Sequence, residues 1–340
     1  MGPRGVQVKD VRDDFERRAH PFRRELLAHC YRMLGSVHEA EDLVQETMLR
    51  AWRSYDRYDD QRGSVRTWLY RIATNACLSK LSGASRRILP SGLGAPGDDP
   101  EQPLAAAMDV PWLQPIPDTM LALAVDDPGM RAAVRSGSRL AFVAAMQYLP
   151  ARQRAILILR DVLEFSALEV ADILATTPAA VNSGLQRARA RLSDGSASED
   201  QVEEPSDQAA RSLIDQYVKA FESANVPALI RLLTDQVVME MPPVPLWLVG
   251  PAHYGQFITR VFRMAGPHWR MLPTAANGQP AVGAYCRGDK GAYEAHTLQV
   301  FSVTPGGISR NVVFWDSHLF ELFGLPLTVE PRSAPATRGH

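Results

Sequence analysis

Residues 168–192 read LEVADILATTPAAVNSGLQRARARL, two amphipathic periods interrupted at Ala175-Thr176-Thr177. Leu168, Ala171, Ile173 and Leu174 recur at helical spacing before the interruption, and Val181, Leu185, Ala188 and Leu192 do so after it. Ser166 followed by Glu169 is a capping box for the first helix. Thr177 followed by Pro178 sets an N-cap residue before a proline at the first helical position of the second. Two short helices joined by about three residues form a helix-turn-helix, whose second helix usually enters the DNA major groove. Arg187, Arg189 and Arg191 would then meet an anion. A plain helical hairpin with solvated arginines accounts for the stretch equally well, so the rest of the chain must decide.

The 340 residues exceed the usual size of one domain and predict two or three. Hydrophobic residues make up 46% and charged residues 22%, with a formal net charge of -1, which excludes a uniformly basic DNA-coating protein and makes any nucleic-acid surface local. Cys30, Cys77 and Cys286 lack the spacing of a disulfide framework or a zinc site, so neither metal nor cofactor is expected. The N-terminal stretch has no apolar signal core, and no apolar run approaches the roughly 18 residues of a membrane span, so the expectation is a cytoplasmic protein without membrane contact.

Composition divides the chain. Residues 14–87 are helical in pattern, residues 88–138 form a proline-rich connection, and residues 139–193 return to helix. An acidic, serine-rich hinge at 194–206 carries Asp194, Glu199, Asp200, Glu203 and Glu204. Residues 207–330 begin with two helical segments and continue in alternating runs such as VVMEM, AVGAY, HTLQVFSV and ISRNVVFW, an α+β pattern. Residues 331–340 read as a disordered tail.

The segment EAEDLVQETMLRAWR (39–53) places Val44, Met48 and Trp52 on one helical stripe and Asp42, Gln45, Glu46 and Leu49 on another. One stripe can enter a core while the other meets a basic partner, although a merely solvated face fits the pattern too. On 64–82, Arg71, Asn75 and Ser79 form a stripe at i, i+4 and i+8. Trp68 and Tyr70 are aromatic candidates there for base stacking or for core packing, and Trp68, beside Leu69 and Ile72, reads as core.

AEDLVQETMLRAW, RTWLYRIATNACLSKL and LPARQRAILILRDVLEFSALEVADIL occur in that order around the connection. Together they resemble sigma-70 family factors of the small extracytoplasmic-function group, over roughly residues 14–193. The resemblance implies a multidomain chain with two all-α sigma domains. Domain 2 (14–87) would dock on the clamp helices of the largest subunit of core RNA polymerase through a motif on Asp42, Leu43, Val44, Gln45, Glu46 and Leu49, in which Asp42, Gln45 and Glu46 are the polar face and Leu43 and Val44 read as packing inward. It would hold the unpaired minus-ten strand through Arg71, Asn75, Ser79 and Lys80. Asn suits a base edge because its amide both donates and accepts. Domain 4 (139–193) would read minus-35 promoter DNA with the helix-turn-helix 166–185 and the following turn. Its readers would be Thr177, Ala179, Asn182, Ser183 and Gln186, with Arg187 and Arg189 anchoring the backbone. Related factors often carry basic residues where this chain has Asn182 and Gly184. Gly184 costs about 1 kcal/mol inside a helix relative to Ala, which implies close approach to DNA or to a neighbouring helix.

Residues 207–330 resemble the SnoaL-like branch of the NTF2-like superfamily, on FESANVPALIRLLTDQVVMEMPP and ISRNVVFWDSHLFELFGLP. Such a cone can hold a small molecule, and Met241, Trp247, Trp269, Tyr285 and Trp315 are the candidate lining residues, although strand alternation leaves each an even choice between lining it and facing core or solvent. Some members are isomerases or cyclases using Asp or His, for which Asp235, His268, His296, Asp316 and His318 are available; turn and cap roles explain Asp235, Asp316 and His318 as well. No catalytic residue is assigned. PWLQPIPD (111–118) resembles the linker motif of sigma factors that carry this extension, with Trp112 as a candidate latch. The expectation is a sigma factor modulated by its own C-terminal domain. A helix-turn-helix regulator without polymerase docking, or a SnoaL-like enzyme fused to a DNA-binding module, are the alternatives.

Overall fold

The computed structural model describes residues 4–121, 137–195 and 207–331. They fall into two compact units, one from Met1–Arg87 and Leu113–Asp200, the other from Ile88–Trp112 and Gln201–His340. The acidic hinge from 196 onward and the tail from 332 lie outside the described residues, as does Pro128.

The first unit is helical. Helices α1 (Arg4–Ala19), α2 (Arg23–Leu34), α3 (Val37–Arg53) and α4 (Val65–Leu81) come from the N-terminal segment. Helix α2 stops at Gly35, whose φ of +71° suits a residue without Cβ, and Ser36 then caps α3. Leu26, Cys30 and Met33 of α2, Ala40 and Val44 of α3, and Leu69, Ala73 and Cys77 of α4 fill one core. Phe15, Trp52, Tyr55, Tyr58 and Trp68 form an aromatic cluster beside it.

The other helices of this unit are α5 (Leu140–Met146), α6 (Ala151–Leu157) running into a π-helical turn Ile158–Val162, α7 (Ala167–Ile173) and α8 (Pro178–Gly195). These segments share one compact unit with the first four helices. Two buried arginines join them. Arg32 donates from Nε to the Gly137 carbonyl (2.9 Å) and from Nη2 to Ser138 Oγ (2.7 Å). Arg154 donates to the Met33 carbonyl and to Gln147 Oε1 (2.7 Å). Burial pulls both guanidinium pKa values down to about 10, so both stay protonated and their bonds to neutral acceptors are charge-assisted. Phe165 packs edge-on to Tyr70 at 5.0 Å and lies under Arg66 at 4.3 Å.

The second unit is α+β, as the alternating runs predicted. Its strands are β1 (Leu233–Glu240), β2 (Trp247–Val249), β3 (Trp269–Ala276), β4 (Gln279–Arg287), β5 (Tyr293–Thr304), β6 (Gly307–Phe314) and β7 (Thr328–Val329). The sheet order is β2-β1-β6-β5-β4-β3 with β7 on β5, and β1 pairs parallel with β6. Helices α9 (Asp207–Glu222), α10 (Val226–Ile230) and α11 (Pro251–Ala265) belong with it, as does α12 (His318–Leu322). Ile214, Tyr217 and Phe221 of α9 recur on one face and join Met239, Trp269, Met271, Phe301 and Val313 in the core.

The connection 88–138, expected as a linker, is instead divided. Residues 88–112 belong to the α+β unit. There Gly97 N donates to the Trp247 carbonyl (2.8 Å), Ala107 N to the Pro243 carbonyl (2.9 Å), and Trp247 Nε1 to the Gly94 carbonyl (3.1 Å). Arg260 Nη1 donates to the carbonyls of Pro100 (2.8 Å) and Gln102 (2.7 Å). Glu240 is fully buried, ion-paired with Arg310, and accepts from Ser91 N at 2.9 Å. Residues 113–121 belong to the helical unit, with Leu113, Ile116 and Leu121 buried.

Candidate functional site

Helix α3 divides as its periodicity predicts. Asp42, Gln45, Glu46 and Leu49 are exposed, and Glu46 pairs with Arg50 at 2.6 Å. Leu43 and Val44, which belong to the docking motif but read as packing inward, are buried in the core, so they position this face rather than form it. Beside it lies a cleft of ≈ 550 Å³ lined by His20, Arg23, Arg24, Leu27, Glu41 and Met120, which sequence reading missed.

Ser64 begins α4 by accepting from Thr67 N at 3.1 Å. Arg71, Asn75, Ser79 and Lys80 are all exposed along the helix. Arg71 lies 3.7 Å from Asp172 of α7, and Lys80 lies 3.6 Å from Glu39. Tyr70 is fully buried between His29 and Phe165 and offers no stacking face, while half-buried Trp68 sits 4.9 Å from Tyr58. His29 donates or accepts at Thr74 Oγ1 (2.9 Å), and burial drives its pKa down to about 3.

The capping box is present: Glu169 N donates to Ser166 Oγ (3.2 Å), and Ser166 donates to Glu169 Oε2 from Oγ (2.7 Å) and from N (2.8 Å), two bonds that hold the Glu169 carboxyl below its ordinary pKa. Ala175 turns the chain with φ +48°, and Thr177 Oγ1 accepts from Ala180 N at 3.2 Å to open α8. Thr177, Ala179, Asn182, Ser183, Gln186, Arg187 and Arg189 are exposed, while Val181, Leu185 and Ala188 are buried. Gly184 is also buried, and a Cβ there would lie 2.6 Å from Ile156 Cδ1. Its smallness therefore serves packing on α6. Arg189, expected to grip phosphate, makes a bidentate pair with Asp161 (2.9 and 2.7 Å), and Arg191 reaches Gln153 at 3.3 Å. Asp161 raises the Arg189 pKa further. Among the described residues Arg187 has no ion pair.

In the second unit Met241 and Trp269 enter the core. Tyr285 and Trp247 do not line it. Val282 and Ala284 of β4 face the core, so Tyr285 points the other way and packs on Phe320 at 5.1 Å. Trp247 shares the sheet face of its register partner Glu240, because its neighbours Leu246 and Leu248 take the core side. Trp315 is 42% exposed and stacks on His296 at 6.2 Å. The interior holds Tyr217, Tyr254, Gln299 and Asn311, a cluster sequence reading missed because each residue is neutral. Tyr217 and Tyr254 hydroxyls lie 2.8 Å apart, Tyr217 donates to Gln299 Oε1 (3.0 Å), and Asn311 Nδ2 donates to the Tyr254 hydroxyl (2.8 Å). Burial pushes the Tyr254 pKa up to about 12.

The candidate acid–base groups do not converge there. Asp235 is exposed within β1 rather than in a turn, His268 is exposed, and Asp316 pairs with exposed His318 at 3.0 Å. His296 is half-buried against Trp269, and burial lowers its pKa. Among the described residues no cluster of His, Cys, Asp and Glu has the makings of a metal site, and no helix is long and apolar enough to cross a membrane. Cys30 and Cys77 are buried and Cys286 half-buried, all free thiols.

Three family models match the chain: Sigma-70 region 2 over residues 19–87, Sigma-70 region 4 over 139–192, and a SnoaL-like domain over 214–311. The chain is 44% identical over 325 residues to the ECF RNA polymerase sigma factor SigG of Mycobacterium tuberculosis, a match covering 93% of this chain and 85% of that one. It is 54% identical over 52 residues to SigW of Bacillus subtilis, which is 15% of this chain and 27% of that protein. The crystal structure of the M. tuberculosis extracytoplasmic function sigma factor SigJ superposes with a TM-score of 0.58 at 22% identity, covering 90% of this chain and 98% of that one, so the fold is shared.

Proposed function

The chain belongs to the ECF RNA polymerase sigma factors and directs transcription initiation, and we propose that it does so through three exposed faces of its helical unit. The α3 face of Asp42, Gln45, Glu46 and Leu49 docks on the clamp helices of core polymerase. The α4 stripe of Arg71, Asn75, Ser79 and Lys80 holds the unpaired minus-ten strand. The α8 face reads the minus-35 element, with Asn182, Ser183 and Gln186 toward base edges and Arg187 on phosphate. Arg189 joins them only if DNA displaces Asp161. The observation that carries this reading is α8 itself, whose Val181, Leu185 and Ala188 are buried while every proposed reader is exposed.

The α+β unit modulates this activity by holding residues 88–112 of the chain that joins region 2 to region 4. Its bonds from Trp247, Pro243 and Arg260 to that segment support the role. A small molecule bound by this unit would act only through its differential affinity for the held and released forms.

In vitro transcription with purified core polymerase tests the assignment. Glu46→Lys should abolish tight core binding while changing stability by no more than about 0.5 kcal/mol, since the Glu46–Arg50 pair is exposed. Asn75→Ala should impair open-complex formation more than duplex binding. Arg187→Ala should do the reverse and lower the salt slope of log K by about 1. Equal effects on closed and open complexes would break this division of labour.

A further inference from the structure

Gln114 makes four polar contacts with one turn of the helical unit. Its Oε1 accepts from Ser36 Oγ (2.9 Å) and from Val37 N (3.1 Å), its own N–H donates to the Gly35 carbonyl (3.0 Å), and its carbonyl accepts from the Tyr31 hydroxyl (2.7 Å). Leu113 and Ile116 on either side are fully buried, and Pro115 and Pro117 are buried with them. Those prolines have fixed φ and no N–H to satisfy, so the segment reaches its seat already stiff.

A helix leaves its first N–H groups without intrahelical partners. Ser36 covers Glu39 N over a long 3.4 Å and leaves Val37 N to Gln114. The α3 cap is thus completed by a residue 77 positions away from Val37 and exists only while the segment is seated. Glu39, in the same first turn, receives Arg87 at 3.2 Å and Lys80 at 3.6 Å. This turn therefore references α3 to the end of α4. Asp42 follows within the next turn, with Gln45, Glu46 and Leu49 beyond it on the same rigid rod. The chain leaves the α+β unit at Trp112, two residues before Gln114.

We propose that Gln114 is a positioning residue for core-polymerase docking, fixing the first turn of α3, and so the presentation of its exposed face, from a distant part of the chain. This rests on the assignment of that face to polymerase. Gln114 touches no polymerase group itself; it acts through Ser36 and Val37.

The test measures core-polymerase affinity of full-length variants together with amide hydrogen exchange over residues 37–40. Gln114→Leu keeps the bulk and loses the acceptor, so it should deprotect those amides and weaken core binding about five-fold, the scale of a lost helix cap. Gln114→Asn, one methylene short of the α3 N-terminus, should show the same loss should the leucine disturb packing. Gln114→Glu retains the acceptor and should bind within about two-fold of wild type. Glu46→Lys serves as the independent arm. If it weakens binding while Gln114→Leu and Gln114→Asn do not, Gln114 has no positioning role and the docking face stands. If Glu46→Lys binds as wild type, the docking assignment falls and this proposal falls with it. If leucine, asparagine and glutamate variants all lose binding in proportion to lost thermal stability, Gln114 is a packing residue only and the proposal is overturned.

Discussion

Residues 88–112 and 113–121 continue one proline-rich stretch, and they are held in different proportions by backbone and side chain. The first half is gripped mostly by its backbone: the carbonyls of Gly94, Pro100 and Gln102 accept from Trp247 and Arg260, and the amides of Gly97 and Ala107 donate to strand and turn carbonyls. The second half adds to two backbone bonds at Gln114 the grip of its own side chains, Leu113 over Gly35, Gln114 Oε1 at the α3 N-terminus and Ile116 in the core. Backbone capture asks little of residue type, whereas side-chain capture asks for particular residues. The first half therefore leans less on residue identity than the second, and substitutions should separate them.

The largest effect is expected at Leu113→Ala. The side chain is fully buried, and deleting such a leucine costs about 3 kcal/mol through lost transfer energy and the cavity left behind. Hydrogen exchange should rise across α2 and α3 and stay unchanged across β1 and β2. Equal loss in both would show that the two halves are not held independently. Arg260→Ala should be milder, about 2 kcal/mol, because it removes charge-assisted bonds to two carbonyls. Limited proteolysis should then cut within residues 94–104 and spare 113–121. Cleavage of both halves would erase the distinction.

The same contrast explains what the sequence made legible. The helix-turn-helix was readable because caps and periodicity are local: Ser166 with Glu169, Thr177 with Pro178, and the spacing of Val181, Leu185 and Ala188 each act within a few residues. The exposed face of α3 followed from the same periodicity. What failed depends on distant partners. Nothing near Arg189 announces Asp161, 28 residues earlier, and nothing near Val37 announces Gln114. Strand parity was not legible at all, since Tyr285 and Trp247 alternate with core neighbours and no local signal says which face is inner. Proline content marked 88–121 as irregular backbone, which it is. Composition could not say that irregular backbone would be built into a folded unit.

The smallest stability change among the substitutions in this stretch, and the closest test of regulation, is Trp112→Ala. Trp112 is half-buried; its Nε1 donates to the Ala107 carbonyl at 2.9 Å, and it bridges in parallel to Ile88. Ala107 in turn donates to Pro243 at 2.9 Å, so Trp112 closes the end of the captured segment rather than anchoring its length. Losing one hydrogen bond and part of one aromatic burial should cost about 1 kcal/mol. Truncation after Ser206 instead removes every partner that the α+β unit offers to residues 88–112. Both changes loosen the chain immediately before Leu113 and Gln114, one slightly and one completely. Promoter output should therefore move in the same direction in both, further in the truncation, when transcription is measured at matched protein concentration with core affinity alongside. Opposite directions would mean that Trp112 acts apart from the captured segment. Unchanged output and affinity in the truncated protein would remove the α+β unit from the control of initiation altogether.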